Sequence, residues 1–517
     1  CLLLQIYATY QQQKTIKEIL VRLNFDKKDV PAVLSHISKA KNFGDPGKYF
    51  DHKARVSHIR LSDVFDIYEK ELFLKNAVDF DNILLKTRDL LREHKDLRNE
   101  YQNFFQYILV DEYQDSNNLQ EELTRLFLGD SGNFFCVGDD WQAVYGFRGS
   151  NINHFLTFSE KYSGSRIFRL EQNYRSADEI VRVANDLIAY NEEKMEKECF
   201  SEKHGGVVEL YNFYDETEEA RWVAQKIKSL GQSGIALDKM AVLYRTKFCS
   251  LAFEKVFRAS NIKYQMMGSK GFFERKEVLD INCYLTAAVF PKDDVAFDRI
   301  INIPKRGIGP AMIKKIGQVR TGDMGLLDAA RKVLAERILT PKVHKSLTLL
   351  IELLDDIKSY APDHAIREIL KRSNYPEYLR QYSKTESDYV SRLENIDQLI
   401  YSASQKKTIV EYLEEAALIR EDKEDEEEDD NFGVNLSTIH ASKGLEYLVV
   451  FITGCEEQLF PHWKSINSDQ AIQEERRLMY VGLTRAERYL FLTCSEFRKG
   501  QYSKRSRFVE EIAETLE

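Results

Sequence analysis

An α/β fold is predicted, and three features of the sequence predict it. Short apolar runs end abruptly in acids, as in "YILV" before Asp111 and Glu112 and "FFCV" before Gly138-Asp139-Asp140. Segments of helical periodicity separate these runs, which is the pattern of β-α units around a parallel sheet. A long helical block then interrupts the strands, which resume at "VNLSTIH" and "YLVVFITG".

The run "YILV", residues 107–110, reads as a short, fully buried strand. Open parallel sheets bind ligands at the C-terminal ends of their strands, which is where Asp111 and Glu112 stand. Unpaired buried charge is costly, so two acids at that edge ask for a cation, with phosphate behind it. The competing reading is a helix N-terminus enriched in acids, which the helix dipole favours. Further strands are read at "VVELYNF" (207–213), "MAVLY" (240–244) and "YLFLTC" (489–494). Residues up to about 100 read as mostly helical, and so does the block from about 283 to 430. That block is taken as an insertion. It closes on "EDKEDEEEDD" (421–430), an acidic run of the kind that forms solvated linkers.

The totals exclude several classes. A chain of 517 residues is long enough for several domains. No apolar run reaches roughly 18 residues, so no membrane span is expected. Seven scattered cysteines with no CxxC pair argue against zinc and disulfides. They fit a reducing cytosol, and a cytoplasmic location is expected. With a net charge of −9, nucleic-acid binding needs a local site and not a basic surface overall.

Five stretches carry candidate chemistry. In "DEYQD", Asp111 and Glu112 supply a carboxylate for Mg²⁺ and one to orient or deprotonate an attacking water. In "FFCVGDDWQAVYGFRGS" (134–150), Gln142 can sense a phosphate oxygen or that water. Tyr145, Phe147 and Arg148 suit stacking on unpaired bases with a phosphate contact, although either aromatic taken alone reads rather as core. In "LEQNYRS" (170–176), Tyr174 can stack on a purine and Arg175 can reach a γ-phosphate. The fourth stretch is "VNLSTIHASKGLEYLVVFITGCEEQLFPH" (434–462) and the fifth is "EERRLMYVGLTRAERYLFLT" (474–493).

In this order the five resemble motifs II to VI of UvrD/Rep/PcrA-type superfamily 1 DNA helicases. The resemblance spans nearly the whole chain and implies two RecA-like motor domains, the first incomplete, each with a helical insertion. The implied partition is 1–76 for the rest of insertion 1B and 77–205 for the end of motor domain 1A. Residues 206–282 and 433–517 then form domain 2A, with insertion 2B and its acidic linker at 283–432. The implied cofactors are ATP and Mg²⁺, and the implied partners are single-stranded DNA and single-strand/duplex junctions. The implied activity is 3′→5′ unwinding, in DNA repair or replication.

Residue by residue, Asp111 resembles the Mg²⁺ ligand and Glu112 the catalytic base. Gln142 resembles the residue coupling the γ-phosphate to DNA, and Arg175 and Arg485 the γ-phosphate clamp. Tyr174 looks like the adenine stack and Glu446 the ribose contact. Tyr145, Phe147, Arg148, Thr438, His440 and His462 match DNA-facing positions, with a structural role equally open for the two histidines. "RGIG" (306–309) resembles the turn by which 2B meets duplex phosphates, with a plain glycine-rich turn as its alternative.

One element of the family pattern is not in the sequence: no G-x-x-x-x-G-K-[ST] phosphate loop precedes Asp111, and "GDPGKYF" (44–50) has the wrong spacing. Cys1 is expected to fall inside 1B, with the chain alone nearly inactive and with apolar surface exposed on the first motor domain. Two rival functions are a binding protein without turnover and a metal-dependent nuclease using Asp111, Glu112, Asp139 and Asp140.

Overall fold

The computed structural model describes residues 5–7, 9–129, 132–268, 270–322, 324–336, 339–421 and 433–516. Beyond Glu421 the acidic run therefore lies outside the described residues. The N-terminal region is helical, as its periodicity predicts. Its helices are tied by a parallel pair, β1 (Gln5–Tyr7) with β4 (Ala77–Asp79), and a small hairpin, β2 (Arg55–Val56) with β3 (Ile59–Arg60). Ile16, Leu20, Val33, Ile37, Val64 and Tyr68 form its core. Buried Lys41 is held at 2.6 Å by Asp79 and 2.7 Å by Glu69, so its charge is paired where water cannot reach it.

A second parallel sheet consists, among the described residues, of two strands, β5 (Ile108–Val110) and β6 (Phe134–Cys136). The expectation that "YILV" is fully buried is corrected here. Side chains alternate across a strand. Phe134 points inward and packs on Tyr113, Phe158 and Tyr162. Leu109 and Phe135 point the other way and are 72% and 58% exposed. A strand of a parallel sheet is buried only when both of its faces are covered. Ile167, Phe168 and Leu170, outside any strand, are exposed as well. An apolar face of this kind promotes association. Leu109→Ser combined with Phe135→Ser should lower concentration-dependent association of the chain in light scattering. Unchanged association would place the adhesive surface elsewhere.

The largest sheet has seven strands among the described residues: β7 (Val207–Asp215), β8 (Met240–Tyr244), β9 (Tyr264–Met267), β10 (Val434–Thr438), β11 (Tyr447–Thr453), β12 (Ala486–Arg498) and β13 (Gln501–Tyr502). The order is β7-β12-β11-β8-β10-β9, all parallel, with β13 folded back antiparallel on the end of β12. Every residue of β8 is buried, as a central parallel strand requires. One face of the sheet shares a core with the helical block, through Val242, Val449 and Phe451. The other face packs Leu243, Val450 and Ile452 against the helices Asp178–Ala189 and Asp469–Leu483, together with Trp141 and Val144. Trp141 thus anchors the segment after β6 to the seven-stranded sheet. Among the described residues no helix is long and apolar enough to cross a membrane.

Candidate active site

Asp111 and Glu112 follow β5 directly and both are exposed. The helix Asn118–Leu128 has its own capping box, Asn117 with Gln120, so these two acids are not its N-terminal charges. Glu112 adopts a left-handed conformation, φ 50° and ψ 41°. A non-glycine residue there stores about 1 kcal/mol of strain, and such strain collects at functional positions. The Asp111 carboxylate accepts from the Glu112 amide at 2.8 Å. Gln114 donates to Glu112 Oε2 and accepts from the Asp139 amide at 3.0 Å, joining the ends of β5 and β6.

Asp139 accepts from the Trp141 amide at 3.0 Å and from Gln142 Nε2 at 2.7 Å. The Lys197 ammonium lies 2.5 Å from Asp139, 3.1 Å from Asp140 and 4.3 Å from the centre of the Trp141 ring. Asp139 and Asp140 are thereby committed to orienting Gln142 and the loop at Met195, whose amide Asp140 accepts at 2.7 Å. They do not build a nuclease centre with Asp111 and Glu112. Among the described residues no group of three or more His, Cys, Asp and Glu could hold a metal.

Tyr145 precedes a tight turn, Gly146–Arg148, and Phe147 lies at its centre. The Gly146 amide donates to Glu474 at 2.9 Å, and a Cβ at this position would stand 2.7 Å from that carboxylate and push it aside. Phe147 is 54% exposed, so it is not a core aromatic, and its ring meets His440 edge-on at 5.8 Å. The side chain of Arg148 lies outside what the structure describes.

Sheet register assembles the rest. Tyr447 pairs with Ala486, so Glu446 and Arg485 stand together before β11 and β12. Arg485 is 1% exposed and donates to the carbonyls of Val481 and Leu445, both at 3.0 Å, and to Thr484 Oγ1 at 3.2 Å. Its outermost contact is Gln142 Oε1 at 3.5 Å, across the domain boundary. Burial, then the nearby Arg175, pulls its pKa down to about 10, which leaves it cationic at neutral pH. Arg175 donates to Glu446 Oε2 at 2.6 Å, and this ion pair holds the Glu446 carboxyl below its ordinary range. Both partners are solvent-accessible, so the pair is worth less than about 1 kcal/mol and a phosphate can displace it. Tyr174 is 74% exposed, its hydroxyl on Gln172 at 2.8 Å.

Thr438 caps the turn Ile439–Ser442, accepting from the Ala441 amide at 3.4 Å, and so orients His440. His462 does not join this group. It is buried, with Nε2 on Glu394 at 3.1 Å and its amide donated to Glu475 at 3.1 Å, which is the structural arrangement. In "RGIG", Asn302 accepts from the amides of Arg306 at 2.7 Å and Ile308 at 3.3 Å, so those two N–H groups serve the turn itself.

Sequence reasoning missed Lys443. From the second motor domain it reaches Asp115 at 2.6 Å, Glu112 at 3.2 Å and the Gln142 carbonyl at 3.2 Å. It lies inside the quoted stretch that ends at His462, but a lysine in a polar turn gives no signal of which acid it will meet.

The chain matches the UvrD/REP helicase N-terminal domain over residues 3–163 and the UvrD-like helicase C-terminal domain over residues 168–496. The chain belongs to the UvrD-like helicase family. It is similar to the ATP-dependent DNA helicase PcrA of Staphylococcus epidermidis, with 34% identity over 98% of this chain and 72% of the relative. The ATP-dependent DNA helicases PcrA of Bacillus subtilis and Staphylococcus aureus are each 35% identical, over 99% and 98% of this chain and 72% of each relative. Membership assigns the two parallel sheets to the two RecA-like motor domains of the family.

Proposed function

We propose that this chain is the DNA-tracking and γ-phosphate-clamping part of an ATP-dependent 3′→5′ DNA helicase. One observation carries the reading. The segment Thr438–Glu446 joins residues that this reading assigns to DNA with residues that it assigns to nucleotide, through His440 with Phe147, Lys443 with Glu112, and Glu446 with Arg175. ATP would lie between the domains, with Tyr174 on adenine and Glu446 on ribose. Arg175 and Arg485 would meet the charge that develops on the γ-phosphate, where such groups act mainly by positioning and electrostatics. Gln142, held by Asp139 and touching Arg485, would pass closure of the cleft to Tyr145 and Phe147.

Asp111 fits Mg²⁺, an ion that takes one or two carboxylates and completes its shell with phosphate oxygens and water. When bound, that ion neutralises triphosphate charge. Glu112 would orient the attacking water and accept its proton. Without a phosphate loop on the same chain the triphosphate is not fixed, so turnover by these 517 residues alone is expected to be very low. The direction of travel, the preference for junctions and a repair or replication role rest on the resemblance, and a cytoplasmic setting on the scattered cysteines.

A labelled oligonucleotide tests the reading. The chain should bind single-stranded DNA in preference to duplex, with affinity falling linearly in log–log salt plots. Binding that is equal for both forms, or insensitive to salt, would sink it.

A further inference from the structure

The segment Thr438–Glu446 crosses from the C-terminal end of β10 to the start of β11. Its turn Ile439–Ser442 is stiff: Ile439 and Ser442 are buried, Ser442 Oγ donates to the Ile439 carbonyl at 2.8 Å, and Thr438 caps the Ala441 amide. Gly444, at φ +85°, then lets the chain reverse. Two side chains project from this unit into the other motor domain. His440 rests on Phe147, and Lys443 sets its ammonium 5.1 Å from the centre of the Tyr145 ring. The same ammonium, with its side chain only 8% exposed, is paired to Asp115 and Glu112. The contacts of Gln114 and Lys443 with Glu112 both fall on Oε2, so the carboxylate is turned toward the crossing segment.

We propose that Lys443 is a latch that holds Glu112 and Asp115 until single-stranded DNA withdraws it. A base entering at Phe147 takes the place of His440. Because the turn is stiff, the displacement reaches Lys443 three residues on, and the ammonium leaves the carboxylates for water. Glu112 is then free to swing toward the nucleotide. Lys443 is thus a positioning residue that makes the base available only when DNA is present. The inference rests on the reading above, in which Glu112 is the base and Tyr145 and Phe147 take bases.

Linkage makes the latch measurable without turnover. If DNA must break the contact, the contact opposes DNA binding, and its removal must strengthen binding by the same factor. The experiment is fluorescence anisotropy of a labelled oligothymidylate with the nucleotide-free chain, its Lys443→Met and Asp115→Asn variants, and the double variant. Each single variant should bind roughly five- to tenfold more tightly. The double variant should be no tighter than Lys443→Met, which already removes the contacts with both Asp115 and Glu112. Asp115→Asn opens the latch from the opposite side and keeps the test valid if Lys443→Met unfolds. Weaker binding by Lys443→Met with a shallower salt slope would make Lys443 a plain phosphate contact and overturn the latch. Unchanged affinity in both singles would overturn it too. Phe147→Ala separates the two levels: if it leaves affinity unchanged, the DNA-face reading falls, and the latch falls with it. If it weakens binding while the latch variants have no effect, the latch alone is wrong.

Discussion

Replacing Arg498 by Met should destabilise the second motor sheet by about 3–5 kcal/mol. Arg498 ends β12 and bonds Glu456 at 2.5 and 2.8 Å and Glu219 at 2.7 Å, all three side chains being buried. The carboxylates are further satisfied by Thr493 Oγ1 and the Gly454 amide on Glu219, at 2.6 and 3.0 Å, and by the Ser495 amide on Glu456, at 2.8 Å. With the guanidinium gone, two buried carboxylates face each other without a cation. The loss exceeds that of any exposed pair in the molecule, because desolvation is no longer offset. A chain of several domains does not unfold in one step, so the effect is best read locally. Amide exchange in β11 and β12 should accelerate while the N-terminal helices keep their protection. Arg498→Met combined with Glu219→Gln and Glu456→Gln should recover most of the loss. A change below about 1 kcal/mol in the single variant would show that water already reaches the cluster.

Phe147→Ala should weaken single-stranded DNA binding roughly ten- to a hundredfold, because stacking on one aromatic contributes about 1–3 kcal/mol per base. The slope of affinity against salt should stay the same, since no phosphate contact is removed. The ring is more than half exposed and meets Tyr145 and His440 edge-on, so the substitution should leave the melting behaviour unchanged. A parallel drop in stability would return Phe147 to a structural role.

How far these features can be read from sequence depends on how local their causes are. The strands at "MAVLY" and "YLVVFITG" were legible because continuous apolar character follows from burial on both faces. The acids after β5 and the Gly-Asp-Asp after β6 were legible because strand ends in parallel sheets collect ligand chemistry. Burial of "YILV" was misjudged because it depends on what covers Leu109 and Phe135, and composition does not encode neighbours. The partners of His462 and Lys443 were illegible for a related reason. Glu394 lies 68 residues from His462 in sequence and Asp115 lies 328 from Lys443, so only the folded chain brings them into contact. Lys197, which fixes Asp139 and through it Gln142, reads in sequence as one charge among many in "NEEKMEKE".

ATP hydrolysis by the 517-residue chain should be measured with and without single-stranded DNA, with Glu112→Gln in parallel and DNA binding followed in the same samples. Both proteins should bind DNA, and neither should show DNA-stimulated hydrolysis. Stimulated hydrolysis that disappears in Glu112→Gln would contradict the proposed function, because these residues would then cradle the triphosphate by some means other than a phosphate loop.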